Sequence, residues 1–75
     1  MDKNKQLDLN ELKEPIEREV ILYINKNGLC AYGEIIRNLK LSYSKGQEVI
    51  GLLASKGYIK FIGRTSNLEL GANII

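Results

Sequence analysis

The apolar positions of the chain recur with two different periods, which divide the sequence into helices and strands. Apolar residues spaced three or four apart are typical of amphipathic helices. Three such stripes occur, at Leu12, Ile16, Val20, Tyr23 and Ile24, at Tyr32, Ile35, Ile36 and Leu39, and at Gly46, Val49, Ile50 and Leu53. After Gly57 the period falls to two, the period of a β-strand, in Ile59-Lys60-Phe61 and Leu68-Glu69-Leu70. The pattern predicts three helices followed by a β-hairpin.

Capping and turn residues predict where the first helix begins and ends. Proline is tolerated in the first turn of a helix, so Pro15 places the start near Glu14. Asn27-Gly28 ends this helix, because glycine accepts the left-handed conformation that often follows a helix. The next three residues, Leu29-Cys30-Ala31, are enough only for a brief strand or an extended link.

The third helix is predicted over residues 44–56. Either Ser42 or Ser44 opens it, and Ser44 with Gln47 three residues later forms a capping-box pair. Lys56-Gly57 ends it. One domain is expected over residues 10–75, preceded by a flexible N-terminal arm over residues 1–9, which are polar apart from two leucines. The apolar tail, residues 72–75, either packs on the domain or meets a second chain.

The order of helix, short strand, helix, tight turn, helix and hairpin resembles the winged helix-turn-helix family. The resemblance covers about Pro15 to Leu70, and its most characteristic stretch is Leu41 to Ile59, with an apolar turn residue, a serine-rich cap and paired apolar anchors. The opening Tyr43-Ser44-Lys45 is also similar to the small DNA-reading domain at the end of bacterial chromosome translocases, a likeness that implies a shared fold and not a shared role, since no P-loop motor accompanies it. The resemblance implies an α+β fold that binds DNA with its third helix and its hairpin wing.

The third helix turns a small, polar face away from its apolar stripe. At 100° per residue this face consists of Ser44, Gln47, Glu48, Gly51 and Ser55. Such a face fits the major groove of DNA, where Gln47 pairs with adenine and Lys45 reaches a phosphate or a guanine edge. Tyr43 offers its hydroxyl to a phosphate. The alternative is an ordinary solvated face, which Glu48 favours because its carboxylate repels phosphates unless it accepts from a cytosine amine.

Three further cations are candidate DNA contacts. Arg64 lies in the predicted wing loop, residues 63–67, where it reaches the minor groove or the backbone, or else only solubilises a hairpin tip. Arg37 and Lys40, late in the second helix, clamp phosphates in the DNA-binding interpretation. The helix dipole favours cations at that position even without a ligand.

The charge of the chain is positive but unevenly distributed. The net charge is +2. Residues 1–27 carry five basic and six acidic side chains, which gives −1, and residues 28–75 carry six basic and three acidic side chains, which gives +3. The positive part coincides with the predicted DNA-binding elements, which permits a polyanionic partner.

Composition disfavours an enzyme. Histidine is absent and Cys30 is the only cysteine, so the usual zinc, haem and general-base groups lack their residues. Neither a phosphate-binding P-loop nor a nucleophile elbow occurs. We therefore expect no catalysis, no metal, no cofactor and no small-molecule substrate. Cys30 is either a buried core thiol or a link between chains.

The expected partner is double-stranded DNA, bound with or without sequence specificity by a small transcriptional regulator or a DNA-associated accessory protein. No apolar stretch is long enough to span a bilayer and no signal peptide follows Met1, so no membrane association and a cytoplasmic location are expected. Four apolar residues outside the main stripes predict a homodimer surface, namely Leu22, Leu52, Ile74 and Ile75. The competing hypothesis is a winged-helix protein-docking module, favoured by the low net charge, Glu48 and the apolar tail.

Overall fold

Three helices and five short strands make up most of residues 5–75, the part of the chain that the computed structural model describes. The strands are β1 (Lys5–Leu7), β2 (Cys30–Ala31), β3 (Ile59–Phe61), β4 (Asn67–Leu70) and β5 (Ala72–Ile74). The helices are α1 (Pro15–Asn27), α2 (Tyr32–Asn38) and α3 (Tyr43–Ser55), and a single 3₁₀ turn covers Leu9–Glu11. The predicted α+β class and the three helices are confirmed.

The ends of α1 follow from the residues predicted to set them. Glu14 is the N-cap and has extended backbone, and Pro15 occupies the first helical position. Gly28 ends the helix with φ of 77°, and its amide donates to the carbonyl of Ile24 at 2.7 Å. The left-handed conformation is the one in which glycine has the advantage over other residues.

The start of α3 agrees with one of the two predicted alternatives, the cap at Ser42, and not with the other. Ser42 is the N-cap, because its hydroxyl accepts from the amide of Lys45 at 3.1 Å. Helix α3 therefore begins at Tyr43, and Ser44 lies within its first turn. The predicted capping box of Ser44 with Gln47 is wrong, since Ser42 already provides the cap.

The burial of α3 follows the predicted stripe. All four residues of the stripe are buried, namely Gly46, Val49, Ile50 and Leu53. In α1 the buried residues are Glu17, Val20, Ile21 and Ile24. Ile16 and Tyr23 of the predicted stripe are only partly buried against this core.

The predicted hairpin belongs to a three-stranded antiparallel sheet with the order β2, β4, β3. Strands β3 and β4 pair with Ile59 opposite Leu70 and Phe61 opposite Leu68. The brief strand β2 pairs on the other side of β4, with Cys30 opposite Leu68. The short strand between the first two helices therefore holds the middle strand of the sheet in place.

The first nine residues are not a free arm over their described part. Strand β1 pairs in parallel with β5, with Lys5 opposite Ala72 and Leu7 opposite Ile74. Leu7 is fully buried, so the hydrophobic effect holds this segment on the domain. The predicted flexible arm is wrong for residues 5–9, and its first four residues lie outside the described part.

The apolar tail packs on the domain, one of the two outcomes foreseen for it. Ala72 is buried, and Ile74 packs against the core. Ile75 is 69% exposed. Within residues 5–75, no helix combines the length and the apolar character that crossing a membrane requires.

Replacing Leu7 with alanine tests this pairing of the two chain ends. Removing most of a fully buried leucine side chain should lower the free energy of unfolding by about 2–5 kcal/mol. Gln6→Ala is the matched control, because Gln6 is exposed in the same strand, and it should change stability by less than about 0.5 kcal/mol. Urea denaturation followed by circular dichroism measures both. Equal stabilities of the two variants would show that β1 does not pack on the domain.

Candidate nucleic-acid interface

The face of α3 opposite its buried stripe is open to solvent. Every residue predicted for this face is exposed, namely Ser44, Gln47, Glu48, Gly51 and Ser55. Four of the five carry no charge, and three of these four are small. Few side chains therefore protrude from this face of the helix. A partner can therefore approach the helix backbone closely.

An open groove of about 490 Å³ lies between the sheet and the edge of this face that carries Gln47 and Gly51. Its walls come from the start of α2, one side of α3 and the hairpin. The lining residues are Tyr32, Gly33, Tyr43, Gln47, Ile50, Gly51, Phe61 and Ser66. Three are aromatic and none carries a charge.

Sequence reasoning assigned three of these lining residues to the site, Tyr43, Gln47 and Gly51, and missed most of the others. Tyr32 belongs to the predicted apolar stripe of the second helix, and the period of two predicts Phe61 on the same side of its strand as the buried Ile59. Phe61 is nevertheless 46% exposed, because the groove opens beside it. The missed signal was an aromatic residue at the last position of a short strand.

Two tyrosines stand together at one end of the groove. The rings of Tyr32 and Tyr43 meet edge to face, with centroids 6.4 Å apart. Tyr43 is 68% exposed, so its hydroxyl can meet a ligand. The hydroxyl of Tyr32 is buried and has no hydrogen-bond partner within residues 5–75, and burial raises its pKa.

The ammonium group of Lys45 is already engaged within the domain. Its ammonium donates to Glu14 at the start of α1 at 3.0 Å and lies 3.8 Å from Glu48. The hydrogen bond to Glu14 raises the pKa of Lys45, and the charge of Glu48 adds to the rise. Lys45 is also absent from the groove lining. Lys45 and Glu48 thus partly neutralise each other on the flank of α3 that faces α1.

The hairpin loop carries Arg64 on an ordered turn. The hydroxyl of Thr65 donates to the carbonyl of Ile62 at 2.7 Å and accepts from the amide of Asn67 at 3.2 Å. Arg64 is exposed, and its side chain forms no ion pair with any acidic residue of the described chain. Its charge is therefore available to a partner at the edge of the groove formed by Ser66.

Arg37 and Lys40 are exposed near the end of α2, and neither forms an ion pair within residues 5–75. Lys40 has φ of 56°, the left-handed conformation in which a side chain is disfavoured. The amide of Leu41 donates back to the carbonyl of Ile36 at 3.0 Å. This bond is that of a helix-ending motif in which glycine is the usual residue.

Cys30 is the buried thiol that one of the two hypotheses predicted. Its side chain is 1% exposed, and burial raises its pKa, with a contribution from the charge of Glu34. The carboxylate of Glu34 accepts from the hydroxyl of Tyr23 at 2.8 Å, which links α2 to α1. In the described part of the chain, no three acidic or cysteine side chains are grouped as metal ligands.

The apolar residues proposed for a dimer surface divide into two groups. Leu22, Leu52 and Ile75 are exposed, as a contact between chains requires. Ile74 packs against the core and has less surface to offer. Leu29 is a further exposed leucine that the sequence pattern did not single out.

Comparison of the chain with protein-family models, with curated proteins and with solved structures found no match. The function is therefore argued from the groove, the exposed face of α3 and the distribution of charge.

Replacing Lys40 with glycine tests the strain at the end of α2. Glycine should raise the free energy of unfolding by about 1 kcal/mol, because it adopts the left-handed conformation without the clash of a Cβ atom. Lys40→Ala is the matched control, since it removes the same charge and keeps the Cβ atom. Thermal and urea denaturation measure both. Equal stability of the two variants would contradict a strained Lys40.

Proposed function

We propose that this chain is a winged helix-turn-helix domain that binds double-stranded DNA, with α3 as the recognition helix and residues 63–67 as the wing. One observation carries the proposal. The edge of α3 that carries Gln47 and Gly51, the start of α2 and the hairpin line a single open groove. A duplex can therefore contact the helix and the wing together.

The shape of α3 supports an approach to base edges. The major groove of B-DNA is about 12 Å wide and admits an α-helix. Along the exposed face of α3, Ser44, Gly51 and Ser55 add little bulk between the helix axis and a partner. Gln47 is the longest uncharged side chain of this face, and its amide both donates and accepts hydrogen bonds.

The exposed cations at the end of α2 and on the wing are free of ion pairs in the described chain. The ammonium groups of Lys45 and Lys60 are ion-paired within the domain, the latter with Glu69 at 3.4 Å. Arg37, Lys40 and Arg64 have no acidic partner in the described chain. These three residues are assigned to phosphates, with Arg64 also in reach of the minor groove.

The remaining site residues take secondary roles in this proposal. Tyr43 and Ser44 offer hydroxyl groups to a phosphate near the N-terminus of α3. Lys45 offsets the charge of Glu48, so the carboxylate repels DNA less than its position alone suggests. In a cell, these contacts suit a small transcriptional regulator or a DNA-associated accessory protein, and the exposed Leu22 and Leu52 suit a homodimer.

The uncharged, aromatic lining of the groove favours one alternative function, a module that docks a protein segment. Apolar and aromatic surface is what protein partners bury at the centre of an interface. The two functions differ in their dependence on salt. Counterion release makes DNA binding weaken steeply as salt rises, and an apolar protein contact lacks this dependence.

Fluorescence anisotropy with a labelled duplex over a range of salt concentrations tests the DNA proposal. Binding should weaken linearly in a plot of log affinity against log salt. Arg64→Ala should reduce the slope by about one unit. Lys45→Ala should reduce it less, because Glu14 and Glu48 already hold its charge.

Lys26→Ala is the control for the loss of one positive charge, because Lys26 lies in the last turn of α1 and not on the groove. Its slope should equal that of the unmodified protein. Absence of duplex binding at low salt would overturn the DNA proposal and favour protein docking.

A further inference from the structure

Two glycines have no role in the fold itself. The chain has seven glycines. Five are explained within the domain, three by a left-handed backbone and two by a close neighbour, namely Gly28, Gly57, Gly63, Gly46 and Gly71. Gly33 and Gly51 lie within helices, are exposed, and would meet nothing within 4 Å if they carried a Cβ atom. Glycine weakens a helix relative to alanine, so these positions carry a cost that the fold does not require.

Both of these glycines line the same groove. Gly51 lies one helical turn after Gln47, so the helix backbone is bare beside the Gln47 amide. A ligand that bonds to Gln47 can therefore sit against the helix without meeting a side chain at position 51. The groove therefore leaves room for a ligand to approach the helix closely beside the Gln47 amide.

The chemistry of the groove lining favours one kind of base pair over the other. Guanine is read by arginine or lysine, and adenine by the paired donor and acceptor of an asparagine or glutamine amide. The groove contains no charged residue, and the nearby Lys45 is held by Glu14. Apolar surface suits the methyl group of thymine, which guanine–cytosine pairs lack. Tyr43 and Phe61, which line the groove together with Gln47, supply such surface.

We propose that α3 reads an A·T base pair in the major groove. The Gln47 amide bonds to N6 and N7 of adenine, the thymine methyl rests on the apolar lining of Tyr43 and Phe61, and Gly51 admits the base edges. This proposal rests on the proposed function of DNA binding and adds to it the base pair that is recognised.

Four duplexes of equal length and alternating sequence test the proposal by anisotropy at fixed low salt. They contain A·T, A·U, G·C or inosine·C pairs. The A·T duplex should bind at least about tenfold more tightly than the G·C duplex, as one specific base contact provides. Replacing thymine with uracil removes only the methyl group and should weaken binding about fourfold.

The inosine·C duplex separates the two grooves of DNA. Inosine lacks the 2-amino group of guanine, so this duplex presents the minor groove of an A·T duplex and the major groove of a G·C duplex. Reading by α3 requires it to bind as weakly as the G·C duplex. Binding as tight as that of the A·T duplex would mean that Arg64 reads the minor groove, and would overturn the proposal.

Variants of the protein then test whether the preference for the A·T duplex comes from residues of the groove. Gln47→Ala should lose the contact with adenine, so that it binds the A·U and G·C duplexes equally, and it should keep only the roughly fourfold advantage that the thymine methyl gives the A·T duplex. Gly51→Ala should melt at a higher temperature than the unmodified protein and yet bind the A·T duplex about tenfold more weakly. Asn25→Ala, on the exposed surface of α1, is the control for an added helix-forming alanine and should retain the full preference.

The outcomes distinguish the proposed reading of an A·T pair from the proposed DNA binding on which it rests. Equal binding of all four duplexes by the unmodified protein, or unchanged preference in Gln47→Ala, would overturn the reading of A·T and leave DNA binding intact. Failure of the unmodified protein to bind any duplex would overturn both.

Discussion

The structure depends on the burial of one face of α3. Ile50 and Leu53 of this helix are almost fully buried, and Gly46 brings it so close to α2 that a Cβ atom there would lie 2.7 Å from the side chain of Ile36. This packing fixes the rotation of α3 about its axis. Because the apolar face is committed to the core, the polar face with Gln47 and Gly51 must point outwards. The candidate interface is thus a consequence of the core.

Local signals in the sequence predicted most of the fold. The stripe of α3, the proline at the start of α1, the glycine at its end and the hairpin all depend on residues close together in the chain. The pairing of β1 with β5 has no such signal, since two three-residue strands meet from opposite ends of the chain. Their contact is fixed by the burial of Leu7, which one of two leucines in a polar segment does not reveal.

The candidate site, too, could be predicted only where it depends on residues close together in the chain. The exposed face of α3 follows from helical geometry, and every residue predicted for it is exposed. The engagement of Lys45 with Glu14 joins residues 31 positions apart, and helical spacing carries no information about such a pair. The aromatic groove was missed because it is assembled from α2, α3 and the hairpin.

Mapping the bound surface by NMR tests the central claim most directly. In a titration of the ¹⁵N-labelled protein with a short duplex at low salt, we expect the largest amide shifts at Ser44, Gln47, Gly51 and Arg64. The amides of β1 and β5, away from the groove lining, should change little. Shifts confined to the surface around Leu22 and Ile75, or the absence of shifts, would contradict DNA binding by α3 and the wing.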